Sequence, residues 1–142
     1  MSPEELKAKD RRVTEAMNQR NLAVFDEVCA PDIVVHSGLM TTQGVEAYKQ
    51  ALSQAFTAFP DLQFTIEDQL AEGDKSVIRF TESGTHQGDI MGIPATGKQY
   101  HLTGIAIVRH DPNGRTAEVW LEADNLGMLQ QLGVIPAPGQ AS

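Results

Sequence analysis

Asp124 closes a run, Thr116 to Asp124, in which apolar and polar side chains alternate, and a short helical stretch from Asn125 to Gly133 follows it. A carboxylate at the point where a strand leaves a curved sheet is placed to enter a hollow. Loss of water there would raise its pKa and suit it to carry protons. The same position also suits a helix N-cap, whose oxygen takes a free backbone amide. The residue facing Asp124 depends on hairpin register. If His110 pairs with Arg115, Asp124 lies opposite His101, a titratable donor; a glycine bulge at Gly114 would bring Leu102 opposite instead. An exposed strand histidine is the plainer reading of His101.

Other residues could line such a hollow. His86 ends a strand beside a glycine-rich loop, where it would bind a ligand oxygen or hold the loop through a backbone hydrogen bond. His36 ends the first strand and is either a pocket residue or a half-exposed strand end. Arg79, between Ile78 and Phe80, needs an anion on an inner face: a ligand carbonyl or carboxylate, or an ion pair with Glu118 or Glu122. Trp120 shares strand parity with Asp124 and is expected as an aromatic platform or a core residue. Phe56, Phe59 and Met40 are expected on the helix-side wall, with Met91 in a lid-like loop.

Several chemistries are disfavoured. No H-x-x-x-H or comparable ligand spacing occurs, so no metal is expected. Gly84, Gly88, Gly92 and Gly97 fit no phosphate-loop pattern and join two strands. There is no G-x-S-x-G elbow, and Cys29, the single cysteine, lies on an expected helix face, so a serine or cysteine nucleophile is not expected.

The elements that must position these residues follow from pattern. Ser2-Pro3-Glu4-Glu5 is a capping box with proline at the first helical position, opening a helix to about Gln19 with Leu6, Val13 and Met17 on one face. A second short helix after Asn21 should stop at Pro31, before a strand Ile33–His36. Residues 38–42 read as a loop. A third helix carries Val45, Tyr48, Leu52, Phe56 and Phe59 and stops at Pro60. Strands follow around Leu62–Ile66, Ser76–His86, Tyr100–His110 and Thr116–Asp124, the last two joined by an Asp111-Pro112-Asn113-Gly114 turn. Helices first and an antiparallel meander afterwards predict an α+β fold: a bent sheet with helices across one face and a pocket at its mouth. One domain over 1–135 is expected, with 136–142 disordered.

The 142 residues carry a net charge of −8 with 11 basic side chains, which argues against nucleic acid or an anionic membrane as partner. No signal-like opening and no 18-residue apolar run occurs, so a soluble, cytoplasmic protein is expected.

Several segments together are similar to a known family: Phe59-Pro60-Asp61-Leu62, Ala71-Glu72-Gly73-Asp74-Lys75, Gly84-Thr85-His86-Gln87-Gly88, Gly92-Ile93-Pro94-Ala95-Thr96-Gly97-Lys98, Glu118 to Asp124, and Gln130-Gln131-Leu132-Gly133. They resemble the SnoaL-like polyketide cyclase (ester cyclase) family of the nuclear transport factor 2-like superfamily. The resemblance implies a cone-shaped barrel of curved antiparallel sheet with N-terminal helices across it, often a dimer or higher homo-oligomer through the outer sheet face. It also implies cofactor-free ring closure of an aromatic polyketide ester by intramolecular aldol addition, with Asp124 matching the acid/base aspartate. Such a closure needs a base within reach of a carbon-bound proton and a donor near the carbonyl oxygen. A small apolar or aromatic carbonyl compound is the expected partner. A hydrolase, dehydratase or ketosteroid-type isomerase on the same cone, or a non-catalytic binding or oligomerisation module, are the alternatives.

Overall fold

The computed structural model describes residues 1–139. Helix α1 spans Pro3–Asn18, and both halves of its capping box form: Glu5 N donates to Ser2 Oγ at 3.1 Å and Ser2 N to Glu5 Oε1 at 3.2 Å. A 3-10 turn, Leu22–Val24, leads into the short α2, Phe25–Val28. Strand β1 then starts at Cys29 and runs to Ser37, so Pro31 lies inside a strand and does not end a helix. A residue before proline is pushed to extended backbone, which favours the strand at Ala30. The expected loop at 38–42 is largely strand as well: β2, Met40–Gln43, folds back on β1 through Gly38 (φ 60) and Leu39.

Helix α3 spans Val45–Ala58, and β3 (Gln63–Glu72), β4 (Lys75–Thr85), β5 (Gln99–His110) and β6 (Thr116–Ala123) form the meander before α4 (Asn125–Gln131). All six strands join one sheet in the order β2-β1-β6-β5-β4-β3. It is antiparallel except at β1–β6, where the two strands run parallel. The architecture is thus α+β, a curved sheet with helices packed on it.

Helix α1 is fastened across the sheet by polar clamps to β3. Asn18 Nδ2 donates to the Phe64 carbonyl and Phe64 N donates to Asn18 Oδ1, both at 2.9 Å. Nearer the start of the helix, Gln69 Nε2 donates to the Lys7 carbonyl at 2.9 Å. At the far end α4 is held the same way, since Gln131 exchanges two 2.8 Å bonds with the His101 backbone. Two apolar clusters result. One joins Ala16, Phe25, Ile33 and Leu52, and the other joins Phe59, Phe80, Leu102 and Leu132. Gly104 permits the second, because a Cβ there would clash with the Phe80 ring at Cζ.

The β5–β6 register matches neither expected alternative. Gly114 (φ 81) does shift the pairing to His110↔Thr116, but a second irregularity then gives Arg109↔Glu118 and Gly104↔Ala123. Ala117 is the extra residue, a β-bulge. Asp124 therefore comes level with Thr103, whose carbonyl accepts its amide at 3.1 Å.

Within the segment expected to be disordered, Gln130 Nε2 donates to the Pro136 carbonyl at 3.2 Å. Residues 140–142 lie outside the described residues. No described helix is long and apolar enough to cross a membrane.

Candidate active site in the sheet hollow

Alternation along the strands decides which side chains enter the concave face. On β4 these are Ile78, Phe80 and Glu82, on β5 Ala106 and Val108, and on β6 Val119 and Leu121. With residues from α1, α3 and α4 they enclose a hollow of about 650 Å³. Its wall is mostly hydrocarbon, a form suited to a drug-sized apolar ligand. A few polar side chains interrupt it: Asp10, Tyr48, Glu82 and Asn125 among them.

Glu82 is the carboxylate of this wall whose surroundings prepare it for proton transfer. Burial pushes its pKa above the ordinary carboxylate value, and a hydrogen bond from Tyr100 opposes that shift. The Tyr100 hydroxyl donates to Glu82 Oε2 at 2.5 Å. The two are diagonal neighbours on one face, since Glu82 pairs with Leu102 and Gly84 with Tyr100. Burial and the adjacent carboxylate push the Tyr100 phenol far up, so it stays a neutral donor. Its ring is held edge-on by Phe59, with centroids 4.9 Å apart.

A second polar group lies where β4 begins and β5 finishes. Asp10 and His110 are both almost fully buried. His110 Nε2 is 3.4 Å from Asp10 Oδ1 and 3.0 Å from Ser76 Oγ. Aspartate and serine address the same ring nitrogen, so this trio is not a relay of the nucleophilic-triad kind, which uses both nitrogens. The Cys29 thiol, on the same part of the wall, is pushed up to about 12 by burial. It is therefore no nucleophile at neutral pH.

The structure separates the residues singled out from sequence. Asp124 is exposed and off the hollow's wall; its Oδ1 accepts from Gly127 N at 2.9 Å, the N-cap of α4. Its expected burial is thus corrected: it has the parity of Glu118 and Glu122, opposite to Val119 and Leu121. His101 is also exposed, on the same convex face and two residues from Thr103, with which Asp124 is level. Trp120 follows Asp124's parity to the convex face, where its ring stacks on His36 at 5.7 Å. His36 Nε2 lies 2.7 Å from Glu118 Oε2, outside the hollow. Arg79 is convex too and pairs with Asp68 at 2.6 Å, not with Glu118 or Glu122. Glu118 is taken instead by His36 and Arg109.

His86 is fully buried under the 87–97 connection and does not line the mouth. Its Nδ1 accepts from Thr96 N at 3.3 Å, and its backbone carbonyl takes Gly97 N at 2.8 Å. Of the expected wall residues, Phe59 is on the wall and Met91 reaches it from the loop, three-quarters exposed. Met40 is exposed on β2, and Phe56 lies beneath the Arg20 guanidinium, 4.2 Å from its ring centre; neither is on the wall. Among the described residues no group of three or more histidine, cysteine, aspartate or glutamate side chains is arranged to hold a metal ion.

Glu82, Tyr100, Tyr48 and Asp10 were missed as site candidates. Two signals pointed to them. Glu82 continues the Ile78–Phe80 alternation, and Asp10 sits within the Leu6–Val13–Met17 stripe of α1.

Comparison with known proteins agrees with this architecture. Residues 7–132 match the family described as SnoaL-like polyketide cyclase. The chain belongs to that family. Among solved structures, TsrD from Streptomyces laurentii is 29% identical with a TM-score of 0.86, over 95% of this chain and 99% of that one. IdmH from Streptomyces antibioticus, a candidate polyketide cyclase, is 31% identical with a TM-score of 0.79, over 90% and 98%. AclR from Streptomyces galilaeus, a candidate hydroxylase, is 28% identical with a TM-score of 0.85, over 98% and 87%. Comparison with curated protein sequences yields no match.

Proposed function

We propose that this SnoaL-like protein is a cofactor-independent acid/base enzyme of cyclase or isomerase type, acting on a small apolar or aromatic carbonyl compound with Glu82 as proton carrier. The observation that supports it is a carboxylate of raised pKa on the wall of an apolar hollow. Glu82 removes a proton from carbon beside a carbonyl, and the electron pair of that C–H bond becomes the enolate. The enolate carbon then forms a bond to a second carbonyl carbon of the same molecule, and the resulting alkoxide takes the proton back from Glu82. Tyr100, by donating to Glu82, stabilises its ionised form and fixes its direction. Dry walls strengthen both interactions.

Exchange of the α-protons of 2-tetralone in D2O, followed by NMR, tests this without knowledge of the natural substrate. Glu82→Gln should slow enzyme-catalysed exchange by about 10²- to 10⁴-fold while still binding the ketone. Undiminished exchange would overturn the assignment. A second reading keeps the family's aspartate, Asp124, as the acid/base, with His101 beside it. It is favoured by the neighbouring Asn125, which is on the wall. Asp124→Asn is its test: exchange falls with that variant and survives Glu82→Gln only if this second reading holds.

The convex face supports a homo-oligomer. Ile105, Ile107 and Trp120 are exposed on adjacent strands, an apolar patch of the kind that marks contact surfaces. Sedimentation of Ile107→Glu against the parent protein checks this, and an unchanged mass would remove the proposal.

A further inference from the structure

Tyr48 is a hydrogen-bond donor of the hollow that neither proton-transfer scheme uses. It lies in the first turn of α3, its ring 5.5 Å from that of Phe25 and its neighbourhood including Cys29. Protein encloses it, yet it keeps accessible surface and belongs to the hollow's wall. Its hydroxyl bonds no group among the described residues. Among the described residues the sealed and unpartnered side-chain atoms are Asp10 Oδ2, His86 Nε2 and His110 Nδ1, and the Tyr48 oxygen is not one of them. The oxygen therefore keeps accessible surface, on a residue that lines the hollow. Burial pushes the phenol well above its usual pKa, so it is neutral at any physiological pH and retains its proton. A buried donor without an acceptor is costly, and such groups in native proteins have partners.

The donor stands far from Glu82. Helix α3 leads from Tyr48 toward Phe59, whose ring contacts Tyr100, and a rise of about 1.5 Å per residue separates the two positions by roughly 16 Å. Alanines 51 and 55 line the hollow between them and leave room along the helix. Tyr48 and Glu82 are thus two separated polar contacts on a wall that is mostly hydrocarbon and that Asp10 and Asn125 also interrupt. We propose that Tyr48 donates a hydrogen bond to an oxygen acceptor at the end of the ligand remote from its reacting carbon. The hollow would then select elongated aromatic compounds with a distal carbonyl or ether oxygen. This inference rests on the reading of the hollow as a ligand site and adds a substrate class to it.

The probes are 4-acetylbiphenyl and its apolar match, 4-isopropylbiphenyl, tested on the whole chain. Tyr48→Phe should weaken the ketone by about two- to tenfold, the range for one hydrogen bond, and leave the hydrocarbon unchanged. Retained hydrocarbon affinity also shows that the variant is folded. The infrared carbonyl stretch of the bound ketone should lie at lower frequency in the parent protein and in Glu82→Gln than in Tyr48→Phe. An equal stretch in parent and Tyr48→Phe, or equal weakening of both probes, overturns the Tyr48 contact. A shift lost in Glu82→Gln instead places the ketone at the other end and overturns it too, with the ligand site intact. If neither probe binds, the ligand-site reading falls together with this inference.

Discussion

The two faces of the sheet use polar residues in opposite ways. On the convex face they are numerous and partnered with each other: His36 and Arg109 with Glu118, and Arg79 with Asp68. On the concave face they are few and embedded in hydrocarbon, as Glu82 is with Tyr100 and His110 is with Asp10 and Ser76. The two glutamates show this best. Glu82 is raised, chiefly by desolvation, whereas Glu118 is lowered, chiefly by its hydrogen bond with His36. The same side-chain type holds its proton more tightly on one face and releases it more readily on the other. Abundance of titratable groups is thus a poor guide to the site; isolation in a dry wall is the better one.

The largest effect that would break this comparison is kinetic. Loss of the Glu82 carboxylate should remove about two to four orders of magnitude from α-proton exchange, while Glu118→Gln should leave the rate within twofold or so of the parent, as expected for a group remote from the chemistry. Equal losses would mean that the faces do not differ in role. Packing follows. Phe80→Ala, on the concave wall and over Gly104, should cost about 3–5 kcal/mol in urea unfolding. Ile105→Ala on the convex face should stay within about 0.5 kcal/mol in the monomer. A smaller effect concerns Asp124: as an N-cap, its change to Ala should cost about 1 kcal/mol, and Asp124→Asn should restore most of it because asparagine caps equally well.

The subtlest contrast is in pH dependence, where the signs are opposite. Glu82 is raised on folding, so its contribution is full below the ordinary carboxylate pKa and is lost as pH rises through the folded value. Glu118 is lowered, so its contribution is present above the ordinary value and is lost as pH falls through the folded one. Stability measured from acid to neutral pH should gain relative to the parent in Glu82→Gln toward neutrality, and lose in Glu118→Gln over the same interval. Variants moving in the same direction would sink the distinction.

Local rules predicted the elements near chain-local signals well. The capping box of α1, the apolar stripe of α3 and the Asp111–Gly114 turn involve residues within a few positions of one another, and each formed as expected. The helix expected to run to Pro31 is shorter, because β1 needs Cys29 and Ala30 for pairing and burial. The site was less legible. Arg79, Trp120, His36 and His101 stood out for their chemistry, but strand parity sets them apart from the hollow. That parity was readable: Trp120 and Asp124 fall in step with Glu118 and Glu122, and Arg79 falls out of step with Ile78 and Phe80. The register was not readable, since a bulge at Ala117 has no glycine or proline to announce it.

What the sequence determined by itself is the α+β order of elements, the family, and the two faces of each strand, because these rest on periodicity and on motifs of neighbouring residues. What only the tertiary structure decided is which carboxylate is dry. Dryness depends on the other strands and helices that surround a side chain. Glu82 meets Tyr100 across a strand pair, and Asp10 meets His110 at a separation no local pattern spans. Asp124 stays exposed because its strand parity turns it from the hollow, and its carboxylate caps its own helix through the Gly127 amide.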